Sequence, residues 1–153
     1  MVEKFKIIQR GFTLIELLIV IGIIGVLAGV VLVGIDPVDK INAANDTKVQ
    51  RDINALANAV ESYAATNNGS YFGPGGAAVT QADLVSTGNL KVVLAPPTGY
   101  SCANYSITST ASTAQASCPL KSKKYTSVAT ADTWVWCSSS GKAGATADAT
   151  TCP

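Results

Sequence analysis

From Leu17 to Ile35 the chain carries no charged residue, and this run limits what the rest can become. Taken back to Phe12 as one helix, it reaches about 36 Å at about 1.5 Å per residue, enough to cross a hydrocarbon core of roughly 30 Å. The run is about twice the length of a secretory h-region, and no small-residue cleavage site follows it, so it reads as a retained span. Lys4, Lys6 and Arg10 precede it with only Glu3 opposing them, which orients the amino terminus toward the cytoplasm. One carboxylate, Glu16, lies inside the run. An ionised acid at the centre of a membrane helix costs about 2.5 to 3.5 kcal/mol, so this one calls for a partner or a place near the helix end.

The remaining composition excludes more than it suggests. At 153 residues the chain supports one modest core. A net charge of +1 with 14% charged residues gives no field that would indicate nucleic acid. Without histidine the commonest general base and metal ligand are missing, and no G-x-S-x-G or phosphate-binding glycine loop stands in for them. No catalytic residue, cofactor or metal is assigned, and Asp132 and Asp148 read as solvated surface. The expectation is a protein that is not an enzyme. Cys102, Cys118, Cys137 and Cys152 all fall in the last third. An even count beside an export-type segment favours disulfides in an oxidising compartment. Sequence order favours Cys102–Cys118 and Cys137–Cys152 among three connectivities, each closing a loop of about 15 residues.

Along the chain, residues 1–11 form a basic leader, 12–36 the apolar helix and 37–66 an amphipathic helix. In the last of these Ile41, Val49, Ile53, Leu56, Val60 and Tyr63 make an apolar stripe. Its lower part, around Ile41 and Ala44, is a candidate surface for neighbouring subunits. Asn67-Asn68-Gly69 supplies a helix stop. Residues 67–99 read as a connection with a short helix opening at Thr80-Gln81-Ala82-Asp83 and ending at Gly88. Residues 100–153 read as a small antiparallel sheet, with strands expected at Tyr100–Thr108, Tyr125–Val128 and Trp134–Trp136, the two indoles in the core. The Ser/Thr/Ala-rich stretches Ser109–Ser117 and Ser138–Thr151 are expected to be surface loops.

Before the span stands Arg10-Gly11-Phe12-Thr13-Leu14-Ile15-Glu16-Leu17-Leu18. Glycine, phenylalanine and a lone glutamate at this spacing, behind a basic leader, closely resemble the cleavage and methylation motif of type IV prepilins and pseudopilins. The resemblance implies an α+β, pilin-like fold: a long N-terminal helix, half membrane-embedded and half amphipathic, packed on a small antiparallel sheet. It implies cleavage between Gly11 and Phe12 by a prepilin peptidase that also N-methylates Phe12, and a filament whose subunits assemble through the helix. Glu16, fifth in the mature chain, would meet the Phe12 amine of a neighbour and fix register. The implied partners are other copies and related pilins, the peptidase/methyltransferase, a membrane assembly platform with its cytoplasmic ATPase, and the lipid bilayer. The implied locations are the bacterial cytoplasmic membrane before assembly and a surface or periplasmic filament after it. A type II secretion pseudopilin is the alternative within the family, and a signal-anchored surface binding module that never polymerises is the alternative outside it.

Gly25 and Gly29 have the four-residue spacing that lets membrane helices approach closely, with Gly22 and Gly34 nearby. Many pilins interrupt the apolar half with proline; here Val33 stands near that place and Pro37 follows.

Overall fold

The computed structural model describes residues 11–102, 104–127 and 131–153; the basic leader residues Lys4, Lys6 and Arg10, and Val128, lie outside them. The fold is α+β and pilin-like: a long N-terminal helical stretch over 14–66 and a four-stranded antiparallel sheet on which its second half packs. The chain divides into two compact units, Met1–Pro37 and Val38–Pro153.

The first unit contributes helix α1, Leu14–Ile35. It starts at Leu14 because Thr13, in extended conformation, takes the N-cap position; it stops at Asp36, whose φ of 45° is left-handed. Pro37 accounts for the stop. It offers no N–H, and its ring disfavours the right-handed helical conformation in the residue before it. A proline is nevertheless a good first residue for a helix, and α2, Pro37–Thr66, begins on it.

In the second unit Val49, Ile53, Leu56, Val60 and Tyr63 of α2 are buried as the helical spacing predicts. Ile41 is not in the core, being 61% exposed. Asn68 and Gly69 both take positive φ, and the Gly69 N–H reaches back 2.8 Å to the Ala64 carbonyl, which closes the helix end. A 3-10 turn at Pro74–Gly76 leads to α3, Gln81–Ser86. Thr80 and Asp83 make a reciprocal cap there, so aspartate serves where glutamate or glutamine is usual.

The sheet is a meander in the order β1-β2-β3-β4: Ser106–Ser109, Ala114–Pro119, Thr133–Cys137 and Lys142–Thr146. Three expectations fail here, the first being the strand expected at Tyr100–Thr108: β1 starts only at Ser106, because Asn104 and Tyr105 both take a left-handed φ of 49° that breaks an extended run. Tyr125 and Thr126, expected to begin a strand running to Val128, belong to a short helix, α4, Lys123–Thr126. The supposed loops 109–117 and 138–151 contain most of β2 and all of β4. The register gives the reason. Trp136 lies opposite Ala116 on one side and Ala143 on the other, and Trp134 lies opposite Ala145. Small residues leave the width that an indole needs, so alanines of low strand propensity are held by their cross-strand partners. Trp136 joins the core formed with α2, and Trp134 packs half-buried against it. On the opposite face Val135, Ser117 and Thr146 are also buried. Pro153 lies so close to Gly144 that a Cβ there would stand 2.9 Å from the proline Cβ; only glycine leaves room for this return of the C-terminus.

Cys102 pairs with Cys118 and Cys137 with Cys152. Cys118 has no exposed surface, whereas Cys152 is exposed. Mild reductant followed by alkylation and peptide mapping is therefore expected to label Cys137 and Cys152 first. Loss of either bridge by Cys→Ser replacement should lower stability by about 3 kcal/mol, the loop-entropy value for about 15 residues. Equal labelling of all four cysteines would contradict the ordering.

Candidate processing and assembly segment

The amino-terminal site is built by a helix start. Gly11, Phe12 and Thr13 precede α1, and Phe12 is 76% exposed. The Thr13 N–H donates to Glu16 Oε2 at 2.9 Å and the Thr13 hydroxyl donates to the same oxygen at 2.7 Å. In return the Glu16 N–H donates to Thr13 Oγ1 at 3.3 Å. This is a capping box, in which the two residues satisfy amide groups that a helix start leaves without partners. It also places a carboxylate against the positive end of the helix dipole. Glu16 is thus held one turn into the apolar helix, with its carboxylate turned back toward the residue that follows Phe12. Thr13 went unnoticed in the sequence reading, although Thr13-Leu14-Ile15-Glu16 before an apolar run is the very pattern of such a cap.

No side chain of α1 is buried. Leu14, Leu17, Leu18, Ile21, Ile24, Leu27, Val31 and Leu32 are each more than half exposed, an apolar surface far beyond what a soluble monomer leaves uncovered. Gly25 and Gly29 stand one turn apart with Val26, Val30 and Val33 around them, and nothing lies within 4 Å of the place a Cβ would occupy at either glycine. Gly22 opens a second notch between Leu18, Ile19, Val26 and Leu27. Among the described residues α1 begins the one helical stretch long and apolar enough to cross a membrane.

The second unit holds a polar site that the sequence reading missed. Asp46 of α2 is only 1% exposed. Its carboxylate accepts the Tyr100 hydroxyl at 2.5 Å, the Lys121 N–H at 2.9 Å and the Ser122 N–H at 2.8 Å. Two turns earlier Asp39 accepts the Lys123 N–H at 2.6 Å. Two acids of α2 therefore receive the backbone amides that open α4. Burial pushes the Asp46 pKa up, but the Ser122 and Tyr100 side chains and the two amides outweigh it, and the carboxyl stays below the usual aspartate range. Burial and the same aspartate hold the Tyr100 hydroxyl protonated well above its ordinary value, so it remains a donor. Asp52 receives the hydroxyl of the buried Tyr105 at 2.5 Å and the Lys48 ammonium at 2.6 Å. Asp148, on the surface, is lowered to about 2 by Thr150 and Thr151, whose hydroxyls and amides all donate to it. Among the described residues no group of three or more acids or cysteines is placed to hold a metal ion.

A search of the curated proteins and one of the solved structures each found no match. Residues 8–32 match the family model of the prokaryotic N-terminal methylation motif, a stretch that includes Gly11, Phe12, the Thr13–Glu16 cap and Gly22, Gly25 and Gly29 of α1. The chain therefore carries the type IV prepilin-like signal at the head of a pilin-like α+β fold.

Proposed function

We propose that this protein is the precursor of a structural subunit of a type IV pilus-like filament. It is inserted in the cytoplasmic membrane through α1, cleaved after Gly11, N-methylated at Phe12 and polymerised through α1. The observation that carries this reading is the coincidence of the methylation motif with an apolar helix that its own chain leaves wholly uncovered. Such a helix needs lipid in one state and other helices in the next. The notches at Gly22, Gly25 and Gly29 suit close helix approach, where small residues let backbones come together. The partners are then the prepilin peptidase/methyltransferase, the assembly platform with its ATPase, and other subunits. The protein itself catalyses nothing.

Mass spectrometry of sheared surface filaments tests the reading. A peptide beginning at N-methylated Phe12 is expected among their abundant components. Recovery only of a membrane-bound chain starting at Met1 would refute processing and, with it, the filament.

A further inference from the structure

The two outer strands of the sheet are finished differently. Hydrogen bonds of an antiparallel pair alternate along each strand, so one bond fixes which residues face the partner. The Thr110 N–H donates to the Thr113 carbonyl at 2.7 Å, which turns the backbone of Ser106 and Thr108 toward β2 and that of Ile107 and Ser109 to the outer side of β1. The Ser138 N–H donates to the Ala114 carbonyl at 2.9 Å. By the same alternation Trp134 and Trp136 bond to β2, Val135 and Cys137 bond to β4, and the backbone groups of Ala143 and Ala145 point outward from β4.

The outer side of β1 is occupied by its own chain. The Tyr71 N–H donates to the Ala111 carbonyl at 3.3 Å, the Val79 N–H donates to Ser109 Oγ at 2.9 Å, and the Gln81 side-chain amide donates to the Asn104 carbonyl. Between these ties Ile107 lines a cleft of about 460 Å³ together with Val79, Thr80 and Val93. The outer side of β4 has no such cover. Among the described residues nothing donates to or accepts from the backbone of Ala143 or Ala145 there. Proline and bulges, which usually blunt an edge, are absent from this strand, and its one charge, Lys142, stands at its end.

An edge left in this state pairs with another strand, and β4 is complementary to itself. With Gly144 opposite the Gly144 of a second copy, Ala143 meets Ala145 and Ala145 meets Ala143. All of these are outward residues, so each pair exchanges both N–H···O bonds. Only methyl groups meet on one face of the crossing, and on the other the paired glycines leave room for each copy's Pro153, which lies over Gly144. Lys142 comes opposite Thr146, and the two copies of Lys142 stand about 14 Å apart, beyond a Debye length of roughly 10 Å.

We propose that the free edge of β4 pairs antiparallel, about a twofold axis, with β4 of a second copy in a neighbouring filament, so that filaments adhere side by side. The proposal rests on the filament reading. Copies along one filament repeat a heterologous contact, whereas a twofold contact uses the same patch on both copies and therefore joins two filaments. Two short strands bury far less than the roughly 1,200 Å² of a stable interface, so a single contact is weak and many together hold by avidity.

The test uses filaments sheared from cells that make the full-length precursor, as wild type or as Ala143→Pro. The Ala143 N–H takes no part in the β3 ladder, so proline removes an outward donor at a position where an edge strand tolerates it. In low-speed sedimentation and electron microscopy, wild-type filaments are expected as bundles and the variant's as single filaments, with pelleted filament reduced roughly tenfold or more. Equal bundling would overturn the proposal. A wild-type measurement covers a variant that fails to assemble: filaments labelled with heavy nitrogen are mixed with unlabelled ones and treated with a lysine cross-linker that spans about 14 Å. A mixed-isotope pair of Lys142 with Lys142 is expected, and its absence from the cross-linked peptides would overturn the proposal as well. A wild-type chain that forms no filament removes the filament reading and this contact together, whereas wild-type filaments that stay single remove the contact alone.

Discussion

Replacing Asp46 by alanine is expected to destabilise the Val38–Pro153 unit by about 3 to 5 kcal/mol, because three donors lose a charged acceptor at once. The wild-type carboxylate serves three donors at once: the Tyr100 hydroxyl and the amides of Lys121 and Ser122. Each would be left in a site from which water is excluded, at about 1 to 3 kcal/mol apiece before relaxation. Asp46→Asn keeps one carbonyl acceptor but turns an amide toward a donor, so roughly half the loss is expected. Urea titration of the full chain in detergent, followed by Trp134 and Trp136 emission, measures both variants. The pH dependence has a definite sign. Because the folded carboxyl is held below its unfolded value of about 3.9, its contribution is complete above that value and lost as pH falls toward the folded one. Stability should fall below about pH 4, less steeply in Asp46→Asn. Asp148, lowered to about 2, keeps part of the acid sensitivity in that variant. A neutral effect of Asp46→Ala would mean that α4 is held by its own sequence.

The same aspartate shows what could be read in advance and what could not. The apolar stripe of α2 was legible because Val49, Ile53, Leu56, Val60 and Tyr63 repeat at helical spacing and all five are buried. Continued toward the amino terminus, however, the stripe passes through Asp46 and not through Ile41, since a step of three from Val49 reaches residue 46. The periodicity placed an acid on the core face, and an acid there demands several donors. The two amide donors lie 75 and 76 positions away, on a segment whose β-prone Tyr125 suggested a strand, and the Tyr100 hydroxyl lies 54 positions away. Local propensity lost to a long-range cap. For β2 and β4 the missing information was register: Ala116, Ala143 and Ala145 carry no strand signal until Trp134 and Trp136 stand opposite them. The Thr13–Glu16 cap, by contrast, was readable from four consecutive residues. The threonine that holds the glutamate carries no charge and is marked only by its spacing from it.

That cap gives Glu16 two separable roles, and the proposed filament function predicts which one dominates. Glu16→Ala is expected to reduce surface filament by roughly tenfold or more while leaving cleavage and membrane insertion intact, because an apolar bundle in which the Phe12 amine loses its complement has no term that favours one axial register over another. Alanine alone does not prove this, since it also removes the helix cap. Glu16→Gln separates the roles. A glutamine at this position still accepts from the Thr13 N–H, which preserves the capping box, but it carries no charge to meet an amine. Thr13→Ala does the converse, weakening the cap while retaining the acid. If Glu16 acts through charge, the glutamine variant should assemble as poorly as alanine and Thr13→Ala should stay close to wild type. If it acts only by starting the helix, glutamine should restore filaments and Thr13→Ala should lose them. Quantifying sheared filament against total membrane-inserted protein for the three variants decides between these outcomes. Restoration by glutamine would remove the pairing with the neighbouring Phe12 amine, and Glu16 would then serve only to begin α1.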